Sequence, residues 1–173
     1  FPKPTAPVLE FDYEGNSASY SKSPEVSDYN ANVMTRTGTT SAYKAGEYSI
    51  TYSLKDADSS AWADDTTDDV IIKWNINKLK VPVPYFVDAE TFIYDGKSHT
   101  PTIDGYNSKV MARSGNTGTY INAGKYKITY TLYDPASCYW DDDVKSTTSK
   151  SLNWEIQKAV VRYTKPTLDT SNL

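Results

Sequence analysis

Ala45-Gly46-Glu47-Tyr48-Ser49-Ile50-Thr51-Tyr52-Ser53-Leu54 returns later in the chain as Ala123-Gly124-Lys125-Tyr126-Lys127-Ile128-Thr129-Tyr130-Thr131-Leu132. In both stretches Tyr, Ile, Tyr and Leu take every second position, with Ser, Thr, Lys or Glu between them. That is the period of a strand with one buried face and one wet face, whereas a helix would scatter the same four side chains around its circumference. The Ala-Gly in front marks a turn, where glycine gives the backbone freedom to enter the strand. Two copies of one strand, each with a similar neighbourhood, make the chain a tandem array.

Upstream of the strand, Phe11-Asp12-Tyr13-Glu14-Gly15 returns as Phe92-Ile93-Tyr94-Asp95-Gly96, and Ser23-Pro24-Glu25-Val26 as Thr100-Pro101-Thr102-Ile103. The spacing shortens between these two pairs, so the first copy carries extra residues in the intervening loop, where insertions are tolerated. Tyr29, Met34, Arg36 and Gly38 match Tyr106, Met111, Arg113 and Gly115. Downstream, each copy has an acidic loop with one tryptophan: Lys55 to Asp65 around Trp62, and Tyr133 to Asp143 around Trp140. A closing strand follows, in which Ile72, Trp74 and Ile76 alternate with Lys73 and Asn75, as Leu152, Trp154 and Ile156 alternate with Asn153 and Glu155. Each copy ends in a lysine, Lys78 and Lys158.

This pattern predicts an all-β protein of two units, residues 1–78 and 79–158, each with about six to eight short strands. No window shows the 3.6-residue apolar period of a helix. The prolines of Leu79-Lys80-Val81-Pro82-Val83-Pro84 predict a stiff linker between the units. Lys165-Pro166-Thr167 echoes Lys3-Pro4-Thr5, so residues 159–173 read as a linker or the start of a third repeat. Phe1-Pro2-Lys3-Pro4 has no signal-peptide core and reads as a cut inside a longer protein.

Composition narrows the function. Of 173 residues 38% are hydrophobic and 23% charged, ordinary for a globular protein, but 15 Tyr stand against 4 Phe and 2 Met. Tyrosine suits a half-buried pleated surface, ring packed and hydroxyl at the boundary. A net charge of −4 argues against non-specific attraction to nucleic acid or an anionic membrane surface, since both need clustered Lys and Arg. No apolar run approaches the roughly 20 residues of a membrane span, so no membrane insertion is expected. The single cysteine, Cys138, can form no intrachain disulfide, which leaves packing to hold each core.

Candidate chemistry sits in the acidic loops. Asp56 and Asp58 in one, Asp134 and Asp142 in the other, are candidate ligands for a structural calcium, a hard cation that takes six to eight oxygens. Neither loop has the spacing of a dedicated calcium loop, and Asp56 and Asp134 would equally fix their turns by accepting backbone N–H groups. Trp62, Trp140 and Tyr139 are candidate stacking surfaces for sugars, with the competing reading that each tryptophan closes the open end of a core. No cofactor is implied. His99 lies in a turn without a counterpart in the first copy and is expected to be exposed. Cys138 lacks a base, and its acidic and phenolic neighbours would raise its pKa, so no residue is assigned a catalytic role. Lys73 and Lys78 raise the option of an isopeptide cross-link to Asn or Asp, whose partners the sequence does not place.

Tyr94-Asp95-Gly96, Gly105-Tyr106, Ser114-Gly115, Asn122-Ala123-Gly124-Lys125-Tyr126 and Asn153-Trp154-Glu155-Ile156-Gln157-Lys158 resemble the bacterial immunoglobulin-like repeats of large surface proteins and of some phage structural proteins. The first copy departs from that pattern in Tyr13-Glu14-Gly15 and in its longer following loop. The resemblance implies two tandem immunoglobulin-like β-sandwiches acting as an extracellular spacer, adhesive or decorating module, on a bacterial cell surface or a phage particle. Expected partners are neighbouring repeats, surface glycans or other protein subunits. The competing expectation is a carbohydrate-binding module attached to a secreted enzyme.

Overall fold

The computed structural model describes residues 1–166. It is nearly all-β, and the strands in order are β1 (Glu10–Asp12), β2 (Met34–Gly38), β3 (Gly46–Leu54), β4 (Val70–Asn77), β5 (Leu79–Val81), β6 (Tyr85–Phe86), β7 (Thr91–Ile93), β8 (Ile103–Asp104), β9 (Met111–Gly115), β10 (Gly124–Leu132), β11 (Cys138–Trp140) and β12 (Lys150–Gln157). One turn of 3-10 helix, Ala18–Tyr20, occupies the longer loop of the first repeat. Among the described residues no helix is long and apolar enough to cross a membrane.

Two four-stranded sheets have matching orders, β1-β4-β3-β2 and β7-β12-β10-β9. In each, the strand quoted at the outset runs antiparallel to the closing strand, setting Tyr48 opposite Trp74 and Tyr126 opposite Trp154. The short edge strand pairs in parallel with the closing strand, Phe11 opposite Ile76 and Phe92 opposite Ile156. Alternation decides which face is buried. Ile50, Tyr52, Ile128 and Tyr130 are at most 3% exposed, while Glu47, Ser49, Lys125 and Lys127 between the inward positions face solvent.

The matched residues of the repeats have matched tasks. Tyr48 lies tilted against Trp74 with centroids 4.8 Å apart, and Tyr126 stacks on Trp154 at 4.5 Å, where offset rings add to simple area burial. Arg36 lies over the Tyr29 ring and Arg113 over the Tyr106 ring, both at 4.9 Å, and each of those tyrosines packs on the next, Tyr52 or Tyr130. Gly115 takes a φ of +88° with its α-carbon facing the Lys127 carbonyl, and Gly38 does the same opposite Ser49.

The second repeat carries the expected eight strands, β5 to β12. The first carries four: the positions of β6 and β8 are held there by the single bridge Thr5↔Ser27, and those of β5 and β11 by the bond from the Ala63 N–H to the Phe1 carbonyl, while Lys22↔Ala42 and His99↔Tyr120 form a further matched pair of bridges.

The seam between the units is itself folded. The proline-bearing segment, expected as a stiff linker, opens with a strand of the second unit: Leu79–Val81 pairs in parallel with β11, Val81 is 1% exposed, and Pro84 is buried. The extended path that proline favours serves a short edge strand as well as a linker. The cores of the two units also join. Tyr13 of the first repeat belongs to one continuous cluster with Val81, Val110, Met111 and Cys138 of the second, while Met34 and Trp62 are buried outside it at the far end of the first repeat. Residues 159–166 form no strand, and the rest of the suggested third-repeat start, from Thr167, lies outside the described residues.

Candidate functional site

The most elaborate polar arrangement in the molecule lies where the repeats meet. Its geometry begins with Tyr48, whose hydroxyl donates to the Lys44 carbonyl four residues back at 2.7 Å, and so fixes the turn entering β3. From that turn the Lys44 ammonium reaches the Asp134 carboxylate at 3.1 Å, and the Ala45 N–H donates to the Ser137 hydroxyl oxygen at 2.9 Å. Ser137 in turn donates to Asp134 Oδ2 at 2.8 Å, and the Ala136 N–H donates to Asp134 Oδ1 at 3.1 Å. Asp134 and Ser137 are both buried, the serine completely. Burial pushes the Asp134 carboxyl up, but the Ser137 hydroxyl and the Lys44 ammonium outweigh it and leave the group below its ordinary range. The same contact raises the Lys44 pKa.

Beside this clasp, Tyr13 is buried against the second repeat, with its phenol pushed up chiefly by burial. The turn that follows is glycine because nothing larger fits: a Cβ on Gly15 would stand 2.7 Å from the Tyr20 ring and 3.0 Å from the Lys109 carbonyl. Asn16 donates its N–H to that carbonyl at 3.1 Å, and Lys109 returns an ion pair to Glu14 at 3.3 Å, with Lys22 on the other carboxylate oxygen at 2.9 Å. Hydrogen bonds from Lys22 and then Lys109 hold the Glu14 carboxyl below its ordinary range.

The residues singled out from sequence fall in different places. Trp62 and Trp140 are 1% and 0% exposed, and their indole N–H groups donate to the Asp68 and Thr148 carbonyls, both at 2.7 Å. Neither ring offers a face to solvent. Tyr139 is half-buried, with Lys145 over its ring at 5.7 Å. Asp56 accepts the N–H groups of Asp58 and Ser59, which fixes its turn, and Asp58 itself is exposed. Asp142 accepts from Ser146 and Lys150, which hold its carboxyl far down, the lysine most. Among the described residues no group of three or more His, Cys, Asp or Glu side chains is arranged to hold a metal ion.

His99 is not the exposed loop residue expected. Its ring stacks on Phe92 at 4.9 Å and its Nε2 meets Asp95 Oδ1 at 2.8 Å. Cys138 is fully buried with its thiol pKa raised, first by burial. Lys73 and Lys78 are both exposed. Sequence reasoning gave Asp134 as a metal candidate or a turn-fixing acceptor, the second of which the Ala136 N–H bears out, and missed Lys44, Ala45 and Ser137. The available signal was that Asp134 and Ser137 repeat Asp56 and Ser59, while the residue beside the serine changes from Ser60 to Cys138.

Compared with protein-family models and with curated proteins, the chain matches none.

Proposed function

We propose that this chain is a non-catalytic structural module: two immunoglobulin-like β-sandwich domains, residues 1–78 and 79–158, locked end to end as a stiff spacer. The observation that carries the reading is the clasp of Lys44 and Ala45 on buried Asp134 and Ser137, with Lys78 alone separating the last strand of one repeat from the first of the next. A flexible tether would need no buried carboxylate at its joint, since burying one is costly unless it is paired and hydrogen-bonded. The hydroxyl of Tyr48 bonded to the Lys44 carbonyl, and of Tyr126 to the Asn122 carbonyl, supports the immunoglobulin-like assignment, because sandwiches of that class use such a tyrosine corner. A stiff array of this kind suits projection from a bacterial cell surface or a phage particle, where it carries an adhesive or decorating element away from its base.

Residual dipolar couplings test this reading. Amides of β3 and β4 and those of β10 and β12 should fit one alignment tensor in the wild-type chain, and two in a Lys44→Ala, Ser137→Ala double variant. Two independent tensors in the wild type would sink the spacer reading.

A further inference from the structure

The two ends of the repeat can be compared directly, because each occurs once in contact and once free. At the distal end, Tyr13 is 2% exposed against the second repeat, whereas its counterpart Tyr94 is 42% exposed. Gly15 faces the Lys109 carbonyl, whereas its counterpart Gly96 has, among the described residues, nothing within 4 Å of where a Cβ would stand. Ala45 is half-buried with its N–H bonded to Ser137, whereas its counterpart Ala123 is exposed. At the proximal end, Asp134 is buried under Lys44, whereas its counterpart Asp56 is exposed. Val81 pairs within its own repeat and is 1% exposed, whereas Val161, three residues after Lys158 as Val81 is after Lys78, is 87% exposed.

We propose that the distal end of the second repeat, built from Tyr94, Gly96 and Ala123, is a docking surface for the proximal end of a further repeat whose first strand is Ala159-Val160-Val161. This rests on the spacer reading above and adds what the next partner must present: an Asp-x-x-Ser turn like Asp134 to Ser137, its serine accepting the Ala123 N–H. The turn that offers Ala123 is already set, because Tyr126 donates to the Asn122 carbonyl at 2.5 Å as Tyr48 does to Lys44. One substitution tunes the contact. Asn122 stands where Lys44 stands, so the incoming carboxylate meets an amide donor in place of an ammonium. Val160 and Val161, 86% and 87% exposed, become the strand that β5 provides in the second repeat.

The probe is a second copy of residues 82–158 joined directly after Val161, with isotope labels confined to residues 1–158. Exchange of the Ala123 amide with solvent should slow on the order of 100-fold or more relative to the parent chain, and Ser137→Ala in the added copy should restore fast exchange. Unchanged exchange at Ala123 with Ala45 still protected overturns this proposal and leaves the spacer reading standing. Fast exchange at Ala45 as well would overturn both. Failure of the added copy to fold also overturns the proposal, since the same sequence folds when seated on the first repeat.

Discussion

The Ser137 hydroxyl accepts the Ala45 N–H at 2.9 Å across 92 positions of sequence, and it does so while donating its own proton to Asp134. One buried oxygen thus satisfies a backbone donor of one repeat and a carboxylate of the next.

Ser137→Ala therefore leaves the Ala45 N–H and one carboxylate lone pair without a partner. An unsatisfied buried polar group costs about 1–3 kcal/mol, so chemical denaturation should show a loss of that size. The local readout is faster exchange at Ala45 with the β10 amides unchanged. A stability equal to wild type would mean the clasp is ornamental.

Acid should open the joint before it unfolds the sheets. Asp134 and Glu14, the carboxylates of the joint, both sit below their ordinary values, and away from the joint Asp64 is held down to about 2 with Lys3 as the first cause. A carboxylate depressed in the folded state stabilises it above the unfolded pKa, 3.8 for aspartate, and that contribution disappears as pH falls through the folded value. The melting temperature should be level from about pH 7 to 5 and fall below about pH 4. In Lys44→Met the Asp134 titration should move to higher pH, which carboxyl-carbon NMR would resolve.

Cys138 is a built-in reporter of the same joint. It is fully buried with its thiol pKa raised, so alkylation in the native chain should be slow. Gly15→Val, which drives side-chain atoms toward Tyr20 and the Lys109 carbonyl, should speed labelling at least tenfold by mass spectrometry. Equal labelling rates would show that the joint tolerates the bulk.

Gly115 and Gly118 lie three residues apart and should respond oppositely. Gly115 has a φ of +88° and a Cβ there would sit 2.5 Å from the Lys127 carbonyl, whereas a Cβ on Gly118 meets nothing within 4 Å. Gly115→Ala should cost about 2 kcal/mol or more and Gly118→Ala well under 1 kcal/mol in urea denaturation.

Trp140→Ala removes a fully buried ring and its bond to Thr148, a loss of about 3–5 kcal/mol for a truncation of this kind. Calorimetry should show the drop. A binding defect at unchanged melting temperature would instead give this tryptophan a ligand.

The sheets were legible in the sequence because their signal is local. Alternation at Tyr48, Ile50 and Tyr52 names the buried face, and the second copy at Tyr126, Ile128 and Tyr130 repeats it. The tryptophans of the closing strands, in phase with isoleucine, declared their burial in the same way. The joint was not legible, because it pairs Lys44 with Asp134 at a separation of 90 residues, and the nearby change from Ser60 to Cys138 does not name the partner. Asp56 is exposed and Asp134 buried for one reason, that only the latter has a repeat seated on it. Pro82 and Pro84 pointed to a stiff segment and not to its pairing with β11, since the same extended path serves a strand and a linker.

The joint is also directional. Lys44, Ala45 and Asn16 give hydrogen bonds from the first repeat, and Asp134, Ser137 and Lys109 receive them on the second, with only the Lys109 to Glu14 pair running back among the described residues. A head that offers protons and a socket that takes them cannot be reversed without setting donor against donor. Were further repeats coupled in the same sense, each would add its length in one direction, so the number of copies would work as a ruler.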